Sequence, residues 1–295
     1  MNARLDAILQ TADRVIVRGD RVNGGAQPPD AAETQLGKPA GVLRVGVDLG
    51  TAYTVVVVVD EEGMPCAGEY RFAQVVRDGV VVDFVGAVDL VKKIKLNVER
   101  RLGVELESAA GSFPPGVSPG EVKAVRYVIE SAGLECSVLI DEPSAADSLL
   151  QVENAAVVDI GGGTTGIAVI QNGKVVYTGD EPTGGTHLSL VLAGAHKVSF
   201  EEAEAMKTDP ARHRELLPVV RPVMEKMGTI IAAHLKSFEV DCVYLVGGTS
   251  SFAGIAEVVE AVTGVPTIVP GNPLFVTPIG IAMNDVRAGV GALGR

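Results

Sequence analysis

Positive charge is scarce in this chain. Its 295 residues carry 25 lysines and arginines against 37 aspartates and glutamates, a formal charge of −12. Such a surface has no general attraction for phosphate backbones or anionic membranes, so nucleic acid and membrane drop out as expected partners. Cysteine is scarce too. Cys66, Cys136 and Cys242 are far apart, odd in number and set in apolar sequence, which argues against a disulfide framework or a zinc site and fits a reducing cytoplasm. No apolar run approaches the roughly 20 residues of a spanning helix, and the N-terminus lacks the apolar block and cleavage site of a signal peptide. A soluble, cytoplasmic protein is therefore expected. Two common phosphate-binding fingerprints are also missing: neither Gly37-Lys38 nor Gly173-Lys174 is followed by Ser or Thr, as a P-loop requires, and no dinucleotide glycine pattern occurs.

What is present is 47% hydrophobic sequence, enough for two ordinary cores. Residues 2–17 read as a short helix with Leu5, Ile8, Leu9 and Ala12 on one face. The Gly/Pro-rich stretch 19–41 has the composition of a linker, so the ordered domain is expected to start near Val42. From there LRVGVDLG, YTVVVVVD and CAGEYRF read as three consecutive strands, their valine runs implying burial on both faces. Helix periodicity follows over about 86–102 and 119–132, and strands over AAGSFPP and ECSVLID. Near Asn154 the pattern restarts, with strands at 155–159, 166–171 and 174–178. The expected organisation is an N-terminal helix and linker (1–41), a first half (42–154, with 276–291 returning to it) and a second half (155–275).

Each half opens with the same punctuation: Asp48-Leu49-Gly50-Thr51 in the first, Asp159-Ile160-Gly161-Gly162-Gly163-Thr164 in the second. A hairpin of Gly and Thr points successive N–H groups at one place, a nest that holds a phosphate oxygen without a lysine. A carboxylate beside bound phosphate repels it unless a cation intervenes, so Asp48 and Asp159 read as water-mediated Mg²⁺ ligands. A lone glycine hairpin is usually a plain turn. Its recurrence in both halves points instead to a Mg-nucleotide held between them.

Six segments, VGVDLGTAYT, DEPSAAD, VVDIGGGTTGIAV, EPTGGTHLS, VYLVGGTSSFAGI and PLFVTPIGIA, resemble in their order the phosphate, connecting and adenosine motifs of the actin, sugar-kinase and DnaK-type chaperone superfamily. They cover essentially all of residues 42–283. More narrowly, VVRDGVVVDFVGAVDLVKK, SFPPG, ESAGLE and VSFEEAE resemble the ethanolamine-utilization EutJ family, which is DnaK-like and associated with bacterial microcompartments. The resemblance implies an α/β, two-domain actin-like ATPase (ribonuclease H-like) fold that binds ATP or ADP with Mg. It implies phosphate contacts from Gly50, Thr51, Gly161, Gly162, Gly163 and Thr164, and adenosine contacts from Gly247, Gly248 and Thr249. Gly184 and Gly185 would line the ribose and phosphate side, with Glu142 at the base of the cleft near the attacking water. For Glu142 the alternative is a carboxylate that merely stabilises a helix N-terminus.

The chain departs from that pattern in informative places. Gly166 stands where DnaK-type chaperones typically carry a second acid, and only 74–85 lie between the third strand and the first helix, where relatives insert a subdomain whose lysine reaches the phosphate. The fold should therefore have reduced insertions and an open cleft, and any hydrolysis should be slow. No counterpart of the peptide-binding domain of DnaK-type chaperones is expected. His187, His196, His213 and His234 show no metal-ligand spacing and read as ordinary histidines, although His187 could approach the nucleotide. Glu201, Glu202 and Glu204 read as a solvated helix face, and Met224 and Met227 as core.

The leading expectation is an ATP-binding chaperone accessory of an ethanolamine microcompartment, acting on shell proteins or ethanolamine-degrading enzymes, with self-association a further option. The rivals are an ATP-dependent reactivating factor for a cobalamin enzyme and a non-catalytic scaffold or filament former. The N-terminal helix has two readings as well: a peptide that docks on the compartment shell, or an end that is disordered or folded back on its own domain.

Overall fold

The computed structural model describes residues 3–19, 36, 39, 41–77 and 79–286. Most of the expected linker and residues 287–291 of the expected returning segment lie outside the described residues. Helix α1 (Ala3–Val15) runs directly into β1 (Ile16–Arg18). Strands β2 (Arg44–Leu49), β3 (Tyr53–Val59) and β4 (Pro65–Phe72) form a meander. A small hairpin, β5 (Val76–Arg77) and β6 (Val80–Val81), occupies the stretch where an insertion was expected to be missing. Then come α2 (Phe84–Leu102), β7 (Ser108–Phe113), α3 (Pro119–Ser131) and β8 (Glu135–Asp141).

Helix α4 (Glu142–Leu150) leads into the second half: β9 (Ala155–Ile160), β10 (Thr165–Gln171), β11 (Lys174–Glu181), α5 (Gly185–His196), α6 (Phe200–Lys207), α7 (His213–Leu235), β12 (Cys242–Val246), α8 (Ile255–Thr263) and β13 (Thr267–Ile268). Helix α9 (Val276–Met283) then returns to the first half, where Asp285 accepts hydrogen bonds from the Val45 N–H (3.1 Å) and the Ser108 hydroxyl (3.2 Å).

The duplication is visible in the sheets. One has the order β1-β4-β3-β2-β7-β8, the other β11-β10-β9-β12-β13. Without β1 the two orders match strand for strand: each has an antiparallel meander followed by two strands parallel to the first. This is the two-domain actin-like α/β fold. Val55–Val59 are buried throughout because helices cover both faces of the first sheet.

A third core lies between the sheets, built from α4, α9 and the inner faces of β3, β9 and β10. Gly280 of α9 packs so tightly there that a Cβ would stand 1.8 Å from the Ala145 carbonyl oxygen. Leu5, Ile8, Leu9 and Ala12 of α1 bury in this same core. The expectation that order begins near Val42 is therefore corrected. β1 pairs in parallel with Gly68–Tyr70 of β4, and Arg101 fastens the junction by donating to the carbonyls of Gly68 and Val15, each at 2.8 Å. Of the two readings of the N-terminal helix, the structure takes the folded-back one. Among the described residues no helix is long and apolar enough to cross a membrane.

Candidate functional site

The first turn of each meander is closed by the same bond. Gly50 N–H donates to the Tyr53 carbonyl and Gly161 N–H to the Thr164 carbonyl, both at 3.1 Å. The remaining N–H groups of these turns, on Thr51, Ala52, Gly162 and Gly163, find no backbone acceptor among the described residues. They remain available as donors, as an anion nest requires. The second hairpin is braced from behind: Gly185 N–H and the Thr249 hydroxyl donate to the Gly161 carbonyl (2.9 and 2.8 Å), and Thr186 N–H donates to Gly162 (2.8 Å).

Between the hairpins lies a cleft of about 260 Å³. Asp48, Glu142, Asp159, Gly50, Thr51, Gly161, Gly162, Gly163, Thr164, Gly247, Gly248 and Thr249 all line it, so twelve of the fourteen sequence-predicted residues meet in one place. Gly184 and Gly185 lie under the second hairpin instead. A Cβ on Gly184 would sit 2.7 Å from the Gly162 carbonyl oxygen, and one on Gly185 2.2 Å from the Thr249 hydroxyl. Their position supports the hairpin, and they are not among the residues that line the cleft. Gly247 has φ +84° and its Cβ would fall 2.2 Å from Asp159 Oδ1, so only glycine fits beside that carboxylate.

The floor of the cleft is acidic. Asp159 accepts a hydrogen bond from the Thr277 hydroxyl of α9, and Asp48 one from the Ser112 hydroxyl of β7 at 3.3 Å. Burial, followed by the nearby Asp159 charge, pushes the Asp48 carboxyl up to about 7, with the Ser112 bond opposing. Burial pushes Asp159 to about 6 against the Thr277 bond. Glu142 is raised well above the ordinary carboxylate range by burial and then by Asp48, Asp159, Asp180 and Asp141. Helix α4 is capped by Asp141, which accepts from Ser144 N–H at 3.1 Å, and Glu142 in its first turn lines the cleft.

Several cleft residues escaped the sequence reading. Glu204 is buried, not solvated. Its Oε2 accepts from Lys207 Nζ (2.7 Å) and the Ser189 hydroxyl (2.6 Å), while its buried Oε1 has no protein donor among the described residues. His213 is buried as well. Ala253 N–H donates to its Nδ1 (3.0 Å), which leaves Nε2–H to donate to the Lys207 carbonyl (2.9 Å), and its ring stacks on Phe252. Lys207, His213, Phe252 and Arg18 all line the cleft. His187 does not; its Nδ1 accepts from Gly184 N–H at the start of α5. Gly166 pairs across the strands with Asp180. Met224 and Met227 are core.

The family model for the type IV pilus assembly protein PilM matches residues 122–277. The ethanolamine utilization protein EutJ of Escherichia coli (strain K12) is 45% identical over 257 residues, covering 87% of this chain and 88% of that one. The chain belongs to the EutJ family. The crystal structure of the family member from Carboxydothermus hydrogenoformans superposes with a TM-score of 0.82 at 46% identity, over 95% of this chain and 98% of that one. More remotely, MreB 5 of Spiroplasma citri bound to AMPPNP shares the fold at 17% identity, with a TM-score of 0.69 over 86% of this chain and 99% of that chain.

Proposed function

We propose that the cleft binds ATP or ADP with Mg²⁺, and that the chain works as a nucleotide-responsive, DnaK-like chaperone accessory of ethanolamine utilization, acting on shell proteins or ethanolamine-degrading enzymes of a microcompartment. One observation carries the reading. Two duplicated hairpins, their amides open, converge over three carboxylates whose protons are held abnormally tightly because the groups are buried. The fold-sharing MreB 5 was crystallised with AMPPNP, which supports the choice of nucleotide.

The donor set suits Mg²⁺ held indirectly. Among the described residues no three His, Cys, Asp or Glu side chains are close enough to grip an ion themselves. Asp48 and Asp159 would hold it through water, with phosphate oxygens completing the shell. The ion would neutralise phosphate and carboxylate charge together. Gly247, Gly248 and Thr249 would let the base approach the backbone. The two halves, 42–154 with 276–291 and 155–275, would close on the ligand and so transmit its presence to a partner.

Hydrolysis in this reading is slow or absent. With Asp48 and Asp159 engaged by the ion, Glu142 would be left to orient water, and Gly166 adds no second acid. The test is suppression of aggregation of ethanolamine-degrading enzymes, and capture of shell proteins, with and without Mg-ATP. Nucleotide-dependent protection is expected; protection of equal size without nucleotide would reject the switch.

A further inference from the structure

The cleft wall supplied by the second half is closed by a circuit of hydrogen bonds. It starts at the second hairpin, where the Gly161 carbonyl accepts from Gly185 N–H (2.9 Å) and from the Thr249 hydroxyl (2.8 Å). The Gly185 carbonyl in turn accepts from Lys207 Nζ of α6 at 3.3 Å. The Lys207 carbonyl accepts from His213 Nε2 (2.9 Å), and His213 Nδ1 accepts from Ala253 N–H (3.0 Å). Phe252 N–H donates to the Thr249 carbonyl at 3.1 Å, which brings the circuit back to its start.

His213, the first residue of α7, joins two segments of this wall that are far apart in sequence. On one side stands Lys207, the last residue of α6, whose carbonyl has no partner inside its own helix. On the other stands Ala253, just beyond the short helical turn Gly248–Ser251. One ring nitrogen accepts while the other donates, which a neutral imidazole does and a shorter or purely apolar side chain does not. The ring is only 4% exposed and stacks on Phe252, with centroids 4.0 Å apart and 17° between the planes. Both joined segments line the cleft, Lys207 and Thr208 from α6 and Gly248, Thr249 and Ser251 from the turn.

We propose that His213 is a positioning residue for the nucleoside part of a bound nucleotide: it fixes the end of α6 against the turn Gly248–Ser251, and so shapes the pocket that receives base and ribose. This rests on the reading of the cleft as a nucleotide site. His213 acts through the backbone, because both of its nitrogens are already bonded there. The phosphate end is insulated from it. The second hairpin keeps braces of its own, from Gly185 N–H and the Thr249 hydroxyl on Gly161 and from Thr186 N–H on Gly162, and none of them passes through the imidazole.

The experiment is calorimetry with ADP, adenosine and inorganic tripolyphosphate in Mg²⁺ on the full chain. Wild type is compared with His213→Phe, which keeps a ring against Phe252 and loses both bonds, and with His213→Asn, whose Oδ1 can still accept from Ala253 N–H. Loss of the two bonds should weaken ADP and adenosine by the same factor, about tenfold, in His213→Phe and leave tripolyphosphate within about twofold. His213→Asn should recover part of the loss, and it carries the same split between adenosine and tripolyphosphate should His213→Phe fail to fold. Nitrogen NMR of labelled histidine adds an independent readout: in wild type the His213 ring should be the neutral Nε2–H tautomer. Equal affinity of wild type and His213→Phe for ADP would overturn the proposal, as would an equal loss for tripolyphosphate, which is the mark of a purely structural role, or an Nδ1–H tautomer. If wild type binds none of the three, the cleft reading itself has failed, and this inference with it.

Discussion

Gly162 and Ala52 touch across the cleft. A Cβ placed on Gly162 would stand 2.8 Å from the Ala52 Cβ and 2.9 Å from its amide nitrogen, so the tips of the two duplicated hairpins are in contact. Gly161, one residue earlier, has room: its Cβ would meet nothing nearer than the Thr164 carbonyl oxygen at 3.8 Å. This asymmetry separates two otherwise similar substitutions. Gly162→Val should force the hairpins apart, cost about 1–3 kcal/mol of stability and weaken nucleotide binding, whereas Gly161→Ala should leave the melting temperature nearly unchanged. Thermal melts and titrations of both variants decide it; equal effects would contradict the hairpin contact.

The acidic floor makes stability depend on pH in a definite direction. Asp48 and Asp159 hold protons more tightly folded than unfolded, up to about 7 and about 6 respectively. Folding therefore takes up protons between the ordinary carboxylate range near pH 4 and about pH 7. Their contribution is fully present at the acidic end and is lost as pH rises through the folded values. In chelator and without nucleotide, wild type should lose stability from pH 5 to pH 7.5 relative to Asp48→Asn. A wild-type curve that rises faster than the variant's over that window would contradict the assignment.

The docked N-terminus gives a third expectation. Leu9 is only 2% exposed in the core between the sheets, so Leu9→Ala should lower global stability by about 2–5 kcal/mol. Denaturant titration reports this directly. A helix that served only as a tethered peptide would lose nothing measurable.

Gly166 offers a double-mutant test. Its Cβ would lie 3.5 Å from Asp180 Oδ1, ordinary contact for alanine but a like-charge neighbour for aspartate. Gly166→Ala should be neutral. Gly166→Asp should lower stability at neutral pH by about 0.2–1 kcal/mol on the scale of cross-strand pairs, and Asp180→Asn should remove the loss. Persistence of the loss in the double variant would show that the pairing is not electrostatic.

The legible parts of the sequence were those written in local pattern. The two Asp-x-Gly turns, the valine strands and the helical periods are short-range signals, and they placed both meanders, α2 and α3 close to their true bounds. Twelve cleft residues followed from those turns and from the family resemblance. Long-range events were not legible. Ile16–Arg18 is too short to signal a strand, and its reason for extending is Gly68–Tyr70, fifty residues away. Glu204 and Lys207 look like any i,i+3 surface pair, because their burial depends on Ser189 in another helix. The close packing of Gly184 and Gly185 against the second hairpin was not legible either, since a motif does not tell a ligand from a backbone as the close neighbour.

The central claim is that the cleft is a Mg-nucleotide site. Calorimetry of wild type with ATP in Mg²⁺, repeated in chelator and with Asp159→Ala, tests it most directly. The expected result is binding of one ATP per chain that weakens without Mg²⁺ and weakens further in Asp159→Ala. Absence of binding heat together with an unshifted melting temperature in millimolar Mg-ATP would contradict it.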